Sequence, residues 1–110
     1  SASAPVERGG TRPDSIGRNA AGEIDLVHEH KHLGGQEQTV YNTRQMERQR
    51  EMGGTHIVTM SSDSPDLTGN PPRPRPSGPL AQESTVYYTD SAGTVTAEWD
   101  RRNSRWNVFS

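Results

Sequence analysis

The sequence predicts an α/β (α+β) domain in which a mixed sheet carries one main helix and a three-stranded β-meander closes the chain. Three observations carry this expectation. The run Glu23 to His32 alternates, with Ile24 and Leu26 on one face and Asp25, Val27, Glu29 and Lys31 on the other. The run Gln36 to Met52 holds helix formers throughout, has no Gly or Pro, and lies between Gly34-Gly35 and Gly53-Gly54. Near the C-terminus, short segments rich in Val, Thr, Tyr and Trp are separated by turn chemistry. A period of two marks a strand, and glycine pairs bound a helix.

The elements follow in order. Residues 1–10, opening Ser1-Ala2-Ser3-Ala4-Pro5, read as an irregular linker, and 11–110 as a single domain. Thr11 to Ile16 is expected as a short strand. Gly17-Arg18-Asn19-Ala20-Ala21-Gly22 is a turn that joins it to Glu23–His32 as a β-hairpin. Gln36 to Met52 is the helix, with a poor apolar face of Val40, Tyr41, Met46 and Met52. His56 to Met60 is a short buried-type strand. Ser61 to Gln82 is a Pro/Gly-rich loop whose Pro71-Pro72-Arg73-Pro74-Arg75-Pro76 run favours an extended polyproline conformation. Thr85–Thr89, Thr94–Trp99 and Trp106–Phe109 form the meander. The domain therefore divides into a core (11–62), a loop (63–82) and a meander (83–110).

Composition sets limits. The hydrophobic fraction is 27%, against ~45–50% for typical globular chains on a count that includes glycine. The core must be thin, stabilised in part by a partner or a metal, or part of the chain must be disordered. The absence of cysteine excludes disulfides and thiolate metal sites and fits a chain working in a reducing cytosol. No stretch approaches the ~20 apolar residues of a membrane helix, and no signal-peptide pattern is present. The formal charge of -2 runs against nucleic-acid binding. The basic residues are nevertheless biased, with Lys31 the only lysine among 12 basic residues. The arginines fall in groups, Arg44, Arg48 and Arg50; Arg73 and Arg75; Arg101, Arg102 and Arg105. Arginine binds phosphate through a bidentate fork; a codon bias towards arginine explains the same count equally well.

Glu29 and Lys31 share a strand face, and the hairpin brings Asp14 towards them. With the turn centred near Ala20 and Ala21, Asp14 falls opposite Val27 or a neighbour, and Glu29 becomes a diagonal neighbour at ~7–8 Å. Two carboxylates at that spacing converge on one ion, and hard oxygen ligands suit Mg2+ or Mn2+. Such an ion polarises a phosphate and activates a bound water. Lys31 beside it orients that water or neutralises developing charge.

Arg12-Pro13-Asp14, a glycine-containing turn, then Glu29-His30-Lys31 resembles the PD-(D/E)xK nuclease superfamily in order and spacing. The resemblance covers roughly residues 11–62. It implies a restriction-endonuclease-like core and a magnesium-dependent endonuclease. Asp14 and Glu29 would be metal ligands, Lys31 catalytic, and Gln45 on the helix would orient water or substrate. DNA is favoured over RNA on the resemblance alone. Arg12, Arg44, Arg48, Gln49, Arg73 and Arg75 are candidate nucleic-acid contacts. The small size and linker-like start further resemble the C-terminal nuclease domain of a bacterial polymorphic toxin. That implies delivery by the producing bacterium into a target-cell cytoplasm, and a cognate immunity protein as partner. The pattern departs from the family in two places. No full helix fits before Thr11, although Glu7 offers the additional carboxylate, and the middle of the triplet is His30 where the family has an apolar residue.

Two other readings stand beside this one. His28, His30 and His32 alternate on the face opposite Glu29, and with His56 suggest a histidine metal site. Gly22 followed by His28-Glu29-His30 resembles the start of a cupin motif, but Gly34-Gly35 occupies the place of its glutamate. The structural reading puts these histidines between sheet and helix or at an interface. The third reading is a non-catalytic module that binds a protein through its polar helix and aromatic meander.

Overall fold

A computed structural model describes residues 14–110. The linker expected at 1–10, Glu7, the strand start at Thr11, and Arg12-Pro13 lie outside the described residues. The chain folds as β1 (Ser15–Arg18), β2 (Ile24–Leu33), β3 (Thr39–Val40), α1 (Arg44–Glu51), β4 (Thr55–Ser62), β5 (Arg75–Pro76), α2 (Gly78–Glu83), β6 (Thr85–Thr89), β7 (Val95–Asp100) and β8 (Arg105–Val108). The fold is mixed α+β. A six-stranded sheet runs in the order β1-β2-β4-β6-β7-β8, with β3 and β5 paired separately.

The hairpin forms because Asn19 organises its turn. Its side-chain oxygen accepts the Ala21 and Glu23 N–H groups at 2.9 and 3.0 Å, and Gly22 takes the left-handed conformation at φ 81°. β1 pairs antiparallel with β2, whereas β2–β4 and β4–β6 are parallel. The crossovers between the parallel strands contain α1 and α2. The meander β6-β7-β8 is antiparallel and continues the same sheet.

The helix is shorter than the sequence suggests. It begins at Arg44, not Gln36, because Thr39 and Val40 pair with Arg75 and Pro76 and Thr43 caps the helix by accepting the Met46 N–H at 3.1 Å. β-branched Thr39 and Val40 suit this pleated pairing, and a hydroxyl N-cap ends it. The proline-rich segment is not the continuous extended run expected: it bends at Pro71 and Pro74 and is a strand only at Arg75–Pro76, and the loop also contains α2. Ser77 caps α2, a proline occupies its first turn, and Leu80 and Ala81 are buried.

The apolar core gathers on one sheet face. Leu33, Val40, Met46, Val58, Met60, Leu80, Val86, Tyr88, Ala97 and Trp106 form the larger cluster; Ile16, Val27 and Met52 form a smaller one. The Val, Leu, Ile and Met side chains among them each contribute roughly 1.5–3 kcal/mol on burial. Trp106 Nε1 donates to the Pro74 carbonyl at 2.8 Å, which ties the proline-rich segment to the sheet. On β2, Val27 belongs to the smaller cluster and Leu33 to the larger. Between them on the same face stand Glu29 and Lys31.

Candidate functional site: a buried carboxylate and its relay

Glu29 is 6% exposed, which is unusual for an ionisable side chain. An isolated carboxylate in this position would be strongly penalised. It is held on both sides instead. Gln49 Nε2 donates to Glu29 Oε1 at 2.8 Å, and Lys31 Nζ lies 3.2 Å from Oε2. The strand period puts Glu29 and Lys31 on one face. α1 lies over that face and delivers Gln49, which is fully buried.

The bonding continues beyond Gln49 with a defined polarity. Gln49 donates through Nε2, so its Oε1 accepts, and His56 Nε2–H donates to it at 2.8 Å. His56 Nδ1 must then be bare, and it accepts the Ser84 hydroxyl at 2.5 Å. Ser84 Oγ in turn accepts Arg50 Nε–H at 3.0 Å. The hydrogen bonds of Arg50–Ser84–His56–Gln49–Glu29 run in one direction with His56 neutral, while Arg50 Nη2 is buried without a hydrogen-bond partner among the described residues. Burial is the main reason that His56 is lowered to about 4; the charges of Arg50 and His28 push the same way. The relay therefore holds the glutamine amide in one orientation and aims its N–H at the carboxylate.

Asp14 is exposed, immediately before β1. The observed register, Ser15 opposite His28 and Ile16 opposite Val27, places it further along β2 than the expected position opposite Val27. Its N–H donates to the His28 carbonyl at 3.0 Å, and its Oδ2 accepts the His30 N–H at 2.5 Å. Asp14 is thus bonded to the backbone of both residues that flank Glu29. Glu29 and Lys31 form a carboxylate–ammonium pair that opens to solvent on the side of Lys31, which is 36% exposed, while Asp14 is tied to the β2 backbone on either side of Glu29.

The histidines do something different. They lie on the face opposite the helices, not between sheet and helix, and alternate with hydroxyls from β4. His32 Nε2 bonds Asp63 Oδ1 at 2.9 Å and its Nδ1 bonds Ser61 Oγ at 2.8 Å. Ser61 also meets His30 Nε2 at 3.1 Å. Thr59 Oγ1 bridges His30 Nδ1 and His28 Nε2, both at 2.7 Å, and Ser15 Oγ meets His28 Nδ1 at 3.3 Å. The parallel register, His28 against Ile57 through His32 against Ser61, builds this ladder. The Asp63 carboxylate accepts only, so in its neutral form the ladder has one polarity, with each imidazole protonated at Nε2. Desolvation lowers His28, and Asp14 opposes that shift. The hydrogen bond from His32 holds the Asp63 carboxyl below its ordinary range. His56 faces α1, so it does not join the other three. Among the described residues no group of three or more His, Asp or Glu side chains is placed to hold a metal ion.

The remaining candidates are dispersed. The glutamine that meets Glu29 is Gln49; Gln45, one of the two glutamines read on this helix, is only partly buried. Arg44 is exposed and Arg48 partly buried on α1. Arg73 is exposed, and its backbone bridges to Asp66. Arg75 lies on β5, with Nη1 donating to the Pro72 carbonyl at 3.0 Å. Sequence reasoning missed Ser84 and Arg50 as supports, and assigned His56 only as a metal ligand. A signal existed for the ladder alone, in the matching two-residue spacings of His28, His30, His32 and of Thr59, Ser61, Asp63. Comparisons with protein-family models, with curated proteins and with solved structures found no match.

Proposed function

We propose that this chain is a metal-dependent nuclease that cleaves phosphodiester bonds in nucleic acid. One observation carries the reading: a buried carboxylate, Glu29, is paired with the only lysine and fixed by a glutamine from the covering helix. Buried charges kept at the edge of a core are candidate functional groups. Asp14 and Glu29 would hold Mg2+ or Mn2+. Both present hard carboxylate oxygens from adjacent strands, and magnesium is ordinarily bound through one or two carboxylates plus water and phosphate oxygens. When bound, the ion supplies Lewis-acid polarisation of the phosphate and a more acidic water.

The chain's own groups perform the positioning. Gln49 fixes the Glu29 carboxylate, and His56 and Ser84 fix Gln49, so the carboxylate needs little rearrangement on binding substrate. The His30 N–H orients Asp14. The Lys31 ammonium, partly exposed beside Glu29, lies where it neutralises charge accumulating on a phosphate. DNA is the proposed substrate over RNA, on the resemblance to PD-(D/E)xK nucleases. The same resemblance supports a toxin delivered into a competitor's cytoplasm and restrained by an immunity protein.

Plasmid nicking in Mg2+ or Mn2+, with and without EDTA, tests this. Wild type should nick only with the metal, and Lys31→Ala and Asp14→Ala should reduce the rate at least ~100-fold while circular dichroism stays native. Undiminished cleavage in both variants would sink the site. No cleavage of DNA or RNA by folded wild type would sink the function.

A further inference from the structure

A second feature lies away from Glu29. A cleft of about 770 Å³ runs between β3, the proline-rich segment, α2 and the start of the β7–β8 turn. Its walls include Tyr41, Trp99, Arg75 and Arg101, and among the described residues no carboxylate lines it, although acids outnumber bases in the chain, 14 to 12. Tyr41 is 67% exposed, the most exposed of the large hydrophobic side chains among the described residues. Trp99 packs edge-on against Trp106, with ring centroids 5.0 Å apart, so the core holds its ring rigidly. The two guanidiniums are also anchored. Arg75 Nη1 donates to the Pro72 carbonyl and Arg101 Nη1 to the Gln82 carbonyl, each at 3.0 Å. The adjoining cleft shares Trp99 and Arg101 but is lined by Glu83 and Glu98, which repel an anion from that end.

We infer that this cleft binds a single-stranded segment of nucleic acid, with a base against Tyr41 and Trp99 and backbone phosphates on Arg75 and Arg101. The inference deepens the nuclease reading and rests on it for the choice of nucleic acid as ligand. Rigid aromatic faces beside anchored arginines are the arrangement that single strands use, because every base offers a face for stacking and each linkage one negative charge. A duplex keeps its bases stacked on one another and cannot use the aromatic wall. The volume lies within the ~300–1,000 Å³ of ligand sites and accommodates a short segment. The site would hold one strand on the protein independently of the metal.

The experiment is fluorescence anisotropy of a labelled twelve-nucleotide thymidine oligomer with wild-type protein in EDTA, so that no cleavage intervenes. Tyr41→Ala, which removes an exposed ring and spares the core, should weaken binding about tenfold, as loss of one stacked base does. Arg101→Ala should lower the slope of log K against log salt by ~0.7, the value for one phosphate contact on a single strand. Duplex of the same length and a base-free polyphosphate should bind more weakly than the oligomer. Unchanged affinity in both variants would overturn the cleft, whatever the nicking assay gives. So would polyphosphate binding as tightly as the oligomer, or thymidine monophosphate binding as tightly. Lost cleavage in the Lys31 and Asp14 variants with oligomer binding intact separates the two sites.

Discussion

The neutral His56 gives the most quantitative prediction. Its place between Gln49 and Ser84 requires a bare Nδ1, so folding excludes the proton that the unfolded chain accepts near 6.5. A folded value of about 4 is depressed. The stabilising contribution is therefore complete above 6.5 and is lost as pH falls towards 4. Relative to pH 7.5, linkage gives a loss on the order of 1 kcal/mol by pH 5.5 and roughly 2–3 kcal/mol by pH 4.5. Against a total stability of ~5–15 kcal/mol, that is a large fraction. Urea unfolding at pH 7.5, 6.5, 5.5 and 4.5 should show it. His56→Asn should be less stable at pH 7.5, because it breaks the relay, but should have a shallower pH dependence across this window. His28 is lowered too and adds to the wild-type slope in the same sense, so the difference between wild type and variant isolates His56. NMR titration of the imidazole in wild type reads the same quantity without a variant. Parallel pH slopes in the two proteins, or a wild-type His56 that titrates near 6.5, would refute the reasoning.

Gln49→Ala removes one hydrogen-bond partner from each of Glu29 and His56, which keep Lys31 and Ser84, and should cost about 2–4 kcal/mol, measured by urea unfolding, with a larger fall in nicking rate than Gln45→Ala. The ladder should appear in long-range nitrogen–proton NMR at pH 8 as three imidazoles protonated at Nε2, and Asp63→Asn should disturb His32 first; Nδ1 protonation throughout would reverse the assigned polarity. Gly54 has φ 75°, and a Cβ there would meet the Asp25 backbone at 2.3–2.5 Å, so Gly54→Ala should lower stability by more than ~1 kcal/mol in thermal melts, whereas Gly22→Ala, with open space around its Cβ, should cost less.

The parts of the fold that were legible have local causes. Alternation in β2 and turn chemistry at Asn19–Gly22 specify the hairpin without reference to the rest of the chain. The segment Thr85–Thr89 was read with its observed bounds because β-branched and aromatic residues sit between turn signals. The helix start was misjudged because Gln36–Gln38 are compatible with a helix, and only the distant pairing of Thr39 and Val40 with Arg75 and Pro76 decides otherwise. Thr43 was the local clue, a hydroxyl before the apolar-periodic run. α2 was hidden because glycine and proline in Gly78-Pro79 look like loop composition, although proline in a first turn after serine is a helix start. In the site, Glu29 and Lys31 were legible from strand period. The choice of Gln49 over Gln45 was not, because both fit the helix spacing and only the angle at which α1 lies on the sheet selects between them. Ser84 and Arg50 joined the relay through tertiary contact alone.

The same sheet carries two polar systems that differ in cost. The ladder of His28, His30 and His32 lies on the face away from the helices, nearer to solvent and bonded to hydroxyls of β4. The relay from Arg50 to Glu29 lies under α1, in a chain whose hydrophobic fraction is only 27%, and it separates the Ile16–Val27–Met52 cluster from the larger core. A buried charged network commonly contributes no more stability than apolar side chains of similar volume. Stability alone therefore gives no reason to keep a carboxylate, an amide and an imidazole where leucines would fit. A requirement for one carboxylate in one orientation beside Lys31 does give a reason. The polarity of the relay, from Arg50 Nε–H through to the amide N–H on Glu29 Oε1, is what such a requirement would select.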